Sequence, residues 1–400
     1  MSEHPNSQST QCVPILPPEL TDQIIDALSD DVKSLTQCTI ASRQLANRSR
    51  YHLFRAIRFR FFWHWYKSYN RCETFPKKCH GAAPLVKSLT LSEECLWYSG
   101  PEPTPWVASE PQLPIALGLM VNLTSLRLVK VKIVDIDITW PGVEELEIND
   151  CFVRKLGTFL GGFHKLRKLK MRGVSILDEE TSPPPGVSVD LEELVISGTN
   201  AANAVQCLLP LFPQPFRIRR LTYPFLNPEY EIPQHDIVPY THLDDLFLEG
   251  ANNTDVPVPD IRNVTKLRLF VISPQRWDPT DACKACDELI DWLIHLLYKA
   301  QGGCLKEVQL EYSLHHISGS PDKFAELDQF LAKMELKKVE LVFSATPDVW
   351  EICEYEEANW PWDGDLQILM KKYTGYFAEV KKQGLLTVSR RDREECYFWK

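Results

Sequence analysis

Few residues of this chain have the types and spacing to do chemistry, and folding accounts better for each. Cys283-x-x-Cys286 has the spacing of a metal pair or redox dithiol, in which two thiolates converge within one helical turn. It lacks a second pair and lies where a helix should begin, so two helical cysteines is the reading adopted. His315-His316 has no carboxylate cluster beside it, and Asp135-x-Asp137 adjoins a strand with no phosphate loop to serve. There is no G-x-S-x-G elbow, no G-x-x-x-x-G-K loop, no G-x-G-x-x-G and no H-E-x-x-H. The expectation is a non-catalytic protein with no cofactor and no metal.

Residues 15–59 read instead as a helical module with an apolar surface. Pro17 and Pro18 fix an extended entry and carry no amide hydrogens to leave unpaired, so a helix is expected from about Glu19. Leu20, Ile24, Ile25 and Leu28 recur at three- and four-residue spacing, which places them on one face. Ser29-Asp30-Asp31 then interrupts with short polar side chains that favour turns and N-caps. Val32, Leu35, Cys38, Thr39 and Ser42 mark a second helix, and Leu45, Tyr51, Leu53 and Phe54 a third. Three short helices over about 40 residues sit near the lower limit for a core that folds alone, and such a module tends to be completed by a partner.

This segment resembles the F-box. The resemblance is carried by the Leu16-Pro17-Pro18-Glu19-Leu20 start, the Ile24-Ile25-x-x-Leu28 helix, the central Leu35 and the Ser42-Arg43 turn. The closing run Tyr51-His52-Leu53-Phe54-Arg55-Ala56-Ile57 is similar to the form common in fungal members. Where many members carry Trp after the Arg, this chain has Leu45. The resemblance implies that Leu16, Pro17, Leu20, Ile24, Ile25, Leu28, Leu35 and Leu45 dock onto the Skp-type adaptor of a cullin-RING (SCF) ubiquitin ligase, an amphipathic helix face packing into a groove. Ubiquitin transfer would then belong to the partners, and this chain would be their substrate receptor. The alternative is a repeat-scaffold interaction protein whose helical module serves another complex.

Four hundred residues exceed the size at which one compact core stops growing, so further domains or an elongated array must follow the module. A net charge of -10 argues against a general polyanion binder, whose affinity depends on neutralising phosphates with Lys and Arg. One stretch runs against that balance: Arg43 to His80 holds ten Lys or Arg against Glu73 alone, interleaved with Phe61, Phe62, Trp63, Trp65, Tyr66 and Tyr69. A helix packing its aromatic face while its charges stay solvated is preferred there to a nucleic-acid platform. The N-terminus has neither a basic start nor an apolar core, and no apolar run is long enough to cross a bilayer, so neither secretion nor a membrane is expected. Twelve scattered cysteines without regular pairing fit reduced thiols in the cytosol or nucleus.

After Pro84 a hexad with apolar first, fourth and sixth positions keeps returning. The units are VKSLTL from Val86, LTSLRL from Leu123, VEELEI from Val143, LRKLKM from Leu166 and LEELVI from Leu191, then IRRLTY from Ile218, LDDLFL from Leu243, VTKLRL from Val264, LKEVQL from Leu305 and LKKVEL from Leu336. Fourth positions from Leu126 to Leu267 are spaced 20, 23, 25, 27, 25 and 21 residues apart, the period of leucine-rich repeats. Each hexad makes sense as a short parallel strand whose apolar residues are buried by the copies stacked beside it. The resemblance is to an irregular leucine-rich-repeat solenoid, because the polar or Cys residue usual three positions past the hexad stands only as Cys151.

Charges flanking the fourth positions follow an order: Arg127 positive, Glu145 and Glu147 negative, Lys168 and Lys170 positive, Glu193 negative, Arg220 positive, Asp245 negative, Lys266 and Arg268 positive, Glu307 negative. On neighbouring strands these rungs would neutralise one another, pinning the order of the stack and leaving no uniform field for a polyanion. The longer spacing after Leu267 accommodates a helix from about Pro279 to Gln301, and Asp322 to Met334 is a second candidate helix with Asp322 as its cap. Pro-rich inserts at 95–114, 178–188 and 224–240 are places where specificity for an unknown protein substrate could reside, whereas the acidic, Trp-bearing stretch 348–366 reads as a solvated capping loop in preference to a site that recruits a basic partner. Leu366 to Lys382 reads as a basic amphipathic helix and Leu385 to Val388 as a last strand. The expected layout is α/β: a disordered 1–14, a three-helix F-box at 15–59, a connector at 60–84, a parallel-sheet solenoid at 85–345 and a C-terminal cap at 346–400.

Overall fold

The computed structural model describes residues 16–62, 75–94, 107, 110–133, 139–177, 191–197, 204, 207–208, 219–224, 244–249, 261–271, 279–313, 320–344 and 363–391. The chain forms two compact units, 1–100 with 110–126 and 101–109 with 127–400.

The smaller unit opens with α1 (Pro18–Ala27), α2 (Val32–Ala41) and α3 (Arg43–Arg55), and both α1 and α2 pack on α3. Each polar break in the sequence is a helix boundary. Pro18 takes the first helical position, where its missing amide costs nothing. Asp31 caps α2, its Oδ1 accepting from the Lys33 and Ser34 amides at 3.1 Å each. Ser42 caps α3 by accepting from the Gln44 amide at 3.2 Å.

The next element is not the one expected. The chain leaves α3 directly into β1 (Ala56–Phe62), which pairs in parallel with β2 (Ser88–Glu94) through Ile57↔Leu89 and Phe59↔Leu91. The 59/60 boundary therefore falls inside a strand, and its residues up to Phe62 are not a helix. Two periods overlap here: the helical spacing of Leu53 and Phe54 gives way to Ile57, Phe59 and Phe61 alternating with Arg58 and Arg60. Phe59 and Phe61 are buried, and Phe59 meets Phe75 edge-on at 5.5 Å. Between and after these strands come α4 (Phe75–Lys78), a 3-10 turn at His80–Leu85 and α5 (Leu113–Leu119).

In all ten hexads the third to sixth residues are strand. After β2 they form β3 (Ser125–Val129), β5 (Glu145–Asn149), β7 (Lys168–Arg172), β9 (Glu193–Ser197), β10 (Arg220–Pro224), β11 (Asp245–Glu249), β12 (Lys266–Val271), β13 (Glu307–Ser313) and β14 (Lys338–Ser344). With β1 and a closing β15 (Leu386–Arg391) they make one twelve-stranded parallel sheet in sequence order. Fourth-position residues stay in register strand after strand, Leu146, Leu169, Leu194, Leu221, Leu246, Leu267, Val308 and Val339, each no more than 5 % exposed. The carbonyl at the second position accepts from two amides of the following repeat: Glu144 takes Arg167 and Lys168, Arg167 takes Glu192 and Glu193, and Lys306 takes Lys337 and Lys338. Each repeat thus starts the next one's ladder before its strand begins.

A second sheet of β4 (Lys132–Ile133), β6 (Phe152–Val153) and β8 (Ser175–Ile176) follows β3, β5 and β7. The chain turns between the two sheets through a left-handed residue, Lys130, Asp150 or Gly173, and only the glycine announces such a turn in sequence. One residue later Val131, Cys151 and Val174 are buried. The Cys151 Sγ accepts from the Val131 amide at 3.3 Å and donates to the Asn149 carbonyl at 3.2 Å, and burial pushes its thiol up to about 12.

The connections lengthen toward the C-terminus. A short α6 (Leu156–Gly161) precedes β7, whereas α7 (Pro279–Ala300) lies between β12 and β13 and α8 (Pro321–Lys333) between β13 and β14. Both long helices lie where the sequence places them, but Ser320, not Asp322, is at the α8 cap position, because Pro321 takes the first helical position. The helix expected over 366–382 is two, α9 (Asp363–Tyr376) and α10 (Ala378–Lys382). The break is held from both sides: Phe377 is buried 6.2 Å from the Phe324 ring, and buried Asp328 accepts from the Glu379 and Val380 amides at 2.8 and 3.0 Å. Cys283 and Cys286 both lie in α7, as expected of helical cysteines. Residues 1–14, Asp135 and Asp137, His315-His316, the stretch 348–362 and most of the Pro-rich inserts lie outside the described residues.

Candidate functional site

Among the described residues no group of His, Cys, Asp and Glu could hold a metal ion, and no helix is long and apolar enough to cross a membrane. The feature that asks for an explanation is apolar surface. Leu16, Leu20, Ile24, Val32 and Ile40 are 53, 47, 51, 64 and 76 % exposed, all within the first two helices and their entry. Isolated exposed apolar side chains are ordinary, but here they are concentrated at helical spacing on neighbouring helices.

α1 turns only Thr21 and Ile25 inward. The Thr21 hydroxyl donates to the Pro17 carbonyl at 3.2 Å, which holds the Leu16-Pro17 entry against the first turn. Leu20 and Ile24, four residues apart, share the outward face, and Leu28 lies half-buried just past the helix end. Of the eight residues assigned to docking, Leu16, Pro17, Leu20 and Ile24 are exposed, and Leu28 and Leu45 are half-buried. Ile25 and Leu35, each 1 % exposed, fill the module's own interior and offer nothing outward. The physical reason is that a small bundle must take its core from the same helices that present its surface.

Val32 and Ile40 were not among the assigned residues. With Thr36 between them they form a second outward stripe at four-residue spacing on α2, and that spacing was the available signal. The Thr36 hydroxyl donates to the Val32 carbonyl at 2.7 Å, so its polar atom is taken up within the helix and its methyl joins the stripe.

One polar cluster fixes the presentation of α1. Asp26 Oδ1 accepts from Arg48 Nε at 2.6 Å and lies 2.7 Å from His52 Nε2, while Oδ2 accepts from Arg48 Nη2 at 2.7 Å. The Arg48 guanidinium, then His52, hold the Asp26 carboxyl well below the usual carboxylate range. Arg48 also lies over the Tyr51 ring at 5.2 Å. The cluster ties α1 to α3 and leaves Leu20 and Ile24 facing outward.

On the larger unit, the charged rungs pair as their order predicts. Arg127 meets Glu147, Lys168 meets Glu145, Lys170 meets Glu193, Arg220 sits between Glu193 at 3.6 Å and Asp245 at 3.3 Å, Arg268 meets Asp245, and Lys266 meets Glu307. The outward face of the sheet neutralises itself along these strands. A three-helix bundle ahead of a long parallel sheet of leucine-rich-repeat-like units is what the chain is; no protein-family model and no curated protein matches it.

Proposed function

We propose that the chain is the substrate-recognition subunit of an SCF-type cullin-RING ubiquitin ligase, docking to a Skp-type adaptor through its three helices and presenting a protein substrate on the repeat domain. The observation that carries this reading is the outward face of α1: Leu16, Leu20 and Ile24 stand exposed while Thr21 and Ile25 alone anchor the helix. A helix so divided is built to be covered on its second face by a partner groove. The exposed Val32 and Ile40 extend that surface, and the F-box-like order of residues 16–57 names the kind of partner. The work of this chain is then recognition, with ubiquitin chemistry supplied in trans.

The test is recovery of a Skp-type adaptor by the purified chain, compared with the Leu20→Asp/Ile24→Asp variant. Covering the exposed half of both side chains contributes about 2 kcal/mol, so recovery should fall at least tenfold. Circular dichroism should stay unchanged, because neither side chain is in the core. Equal recovery of adaptor by both proteins would remove the ligase reading and leave a repeat scaffold serving another complex.

A further inference from the structure

The β15 end of the parallel sheet carries a groove that we propose binds an extended peptide segment in which apolar residues alternate with carboxylates, added to β15 as a further strand. This goes beyond the ligase reading and does not rest on it.

The first observation is an unfinished ladder. Fourth-position residues from Leu146 to Val339 are 5 % exposed or less, because strands on both sides cover them. Leu386 and Val388 continue that inward row, in register with Val339 and Leu341, yet both are only half-buried. Among the described residues no strand lies beyond β15. The Val339 amide donates to the Leu385 carbonyl at 3.0 Å. In a parallel pair that commits the Leu385 carbonyl and the Thr387 peptide groups to β14, the Leu385 amide donating to the Val380 carbonyl at 3.2 Å, and directs the peptide groups of Leu386 and Val388 away from β14.

The second observation is what lies beside this edge. A groove of about 730 Å³ is lined by Ile368, Met370 and Thr374 of α9 together with Val388 of β15, and Lys371 and Lys381 stand on it. Ile368 is 66 % exposed although it faces this apolar lining. The volume accommodates a few side chains.

Charge then selects the occupant. Lys371 and Lys381 are exposed and have no ion-pair partner among the described residues, whereas Lys323 on α8 is matched by Asp291 and Glu326 and Lys382 by Glu379. A basic segment would be repelled, and a helix would leave the edge peptide groups unused. An extended acidic and apolar segment satisfies all three: main-chain hydrogen bonds along β15, apolar side chains in the groove, carboxylates toward the lysines. A strand at the end of a stack is also where a repeat array lacks a neighbour.

The test is an array of random peptides of about 12 residues, probed with the full chain and with Lys371→Glu/Lys381→Glu. Peptides enriched on the wild type should combine Asp or Glu with apolar residues, lose at least about tenfold in affinity on the variant, and weaken when a central residue becomes Pro and an edge hydrogen bond is lost. The variant, its groove reversed in sign, should select Lys- and Arg-bearing peptides instead. Enriched peptides without an acidic bias, or with equal affinity for both proteins, would overturn the proposal. Binding that appears only in Glu394→Lys/Glu395→Lys would assign the groove to the chain's own C-terminus, and self-association abolished by Lys371→Glu/Lys381→Glu would assign it to a second copy; either result overturns it.

Discussion

Asp26 accepts from Arg48 and lies within hydrogen-bond distance of His52, residues 22 and 26 positions later, and so ties α1 to α3 while Leu20 and Ile24 face away. Its depressed pKa has a definite sign. A carboxyl held below its ordinary 3.8 adds stability that is fully present above that value and is lost as pH falls through the lower, folded one. The tie between α1 and α3 should therefore persist at pH 4. In Arg48→Met the larger of the two depressing interactions is gone, so the Asp26 side-chain carboxyl, followed by carbon-detected NMR, should titrate closer to the ordinary range. A wild-type titration at 3.8 would contradict the geometry. Little of this was legible in the sequence, since an Asp inside a helix says nothing about partners two helices away. The outward Leu20 and Ile24 were legible from their spacing. Ile25 and Leu35 are buried in the module's interior, which periodicity could not foresee, because it finds the apolar residues of a helix without saying which side its own core takes.

At the scale of the strand, the third position of the hexad alternates in sign without a break from Glu145 through Lys168, Glu193, Arg220, Asp245, Lys266 and Glu307 to Lys338. Slipping the stack by one repeat would set like charges against like, so the ladder disfavours wrong strand order as well as stabilising the right one. Arg220 tests this most directly, with a carboxylate on each side at 3.6 and 3.3 Å. Arg220→Glu would place three carboxylates in a row and should cost about 1 kcal/mol, a fall in melting temperature of about 2 to 4 °C. Arg220→Gln should cost less, and molar salt should narrow the gap between the two variants. A gap unchanged by salt would show that packing, not charge, sets the cost. The ten hexads were readable because burial on a parallel strand imposes the same three apolar positions each time. β1 was not, because its alternation begins inside a run that also has helical spacing. The two-residue strands β4, β6 and β8 were hidden by length, and their turns by Lys130 and Asp150 standing where only Gly173 gives a signal.

At the scale of the larger unit, a stack of near-identical strands should not be uniformly stable. An interior strand has its apolar row covered on both sides, whereas β15 has β14 alone among the described strands, and the half-buried Leu386 and Val388 record the difference. The sequence marks Leu385 to Val388 as a last strand, but only the stack shows that Leu386 and Val388 extend the inward row with no described strand beyond them. Leu310, fully buried on β13 between β12 and β14, should cost about 2 to 5 kcal/mol when changed to Ala, the loss for a core leucine whose cavity cannot collapse. Leu386→Ala should cost less, about 1 to 2 kcal/mol, because its side chain is only half-buried and leaves no closed cavity. Native-state hydrogen exchange should show the same gradient, with protection rising from β15 through β14 to β13, as expected when nearest-neighbour contacts dominate and opening begins at a free end. Equal protection of β15 and β13 would mean that the end of the sheet is already sealed, and the unfinished ladder would then have to be read as a completed edge.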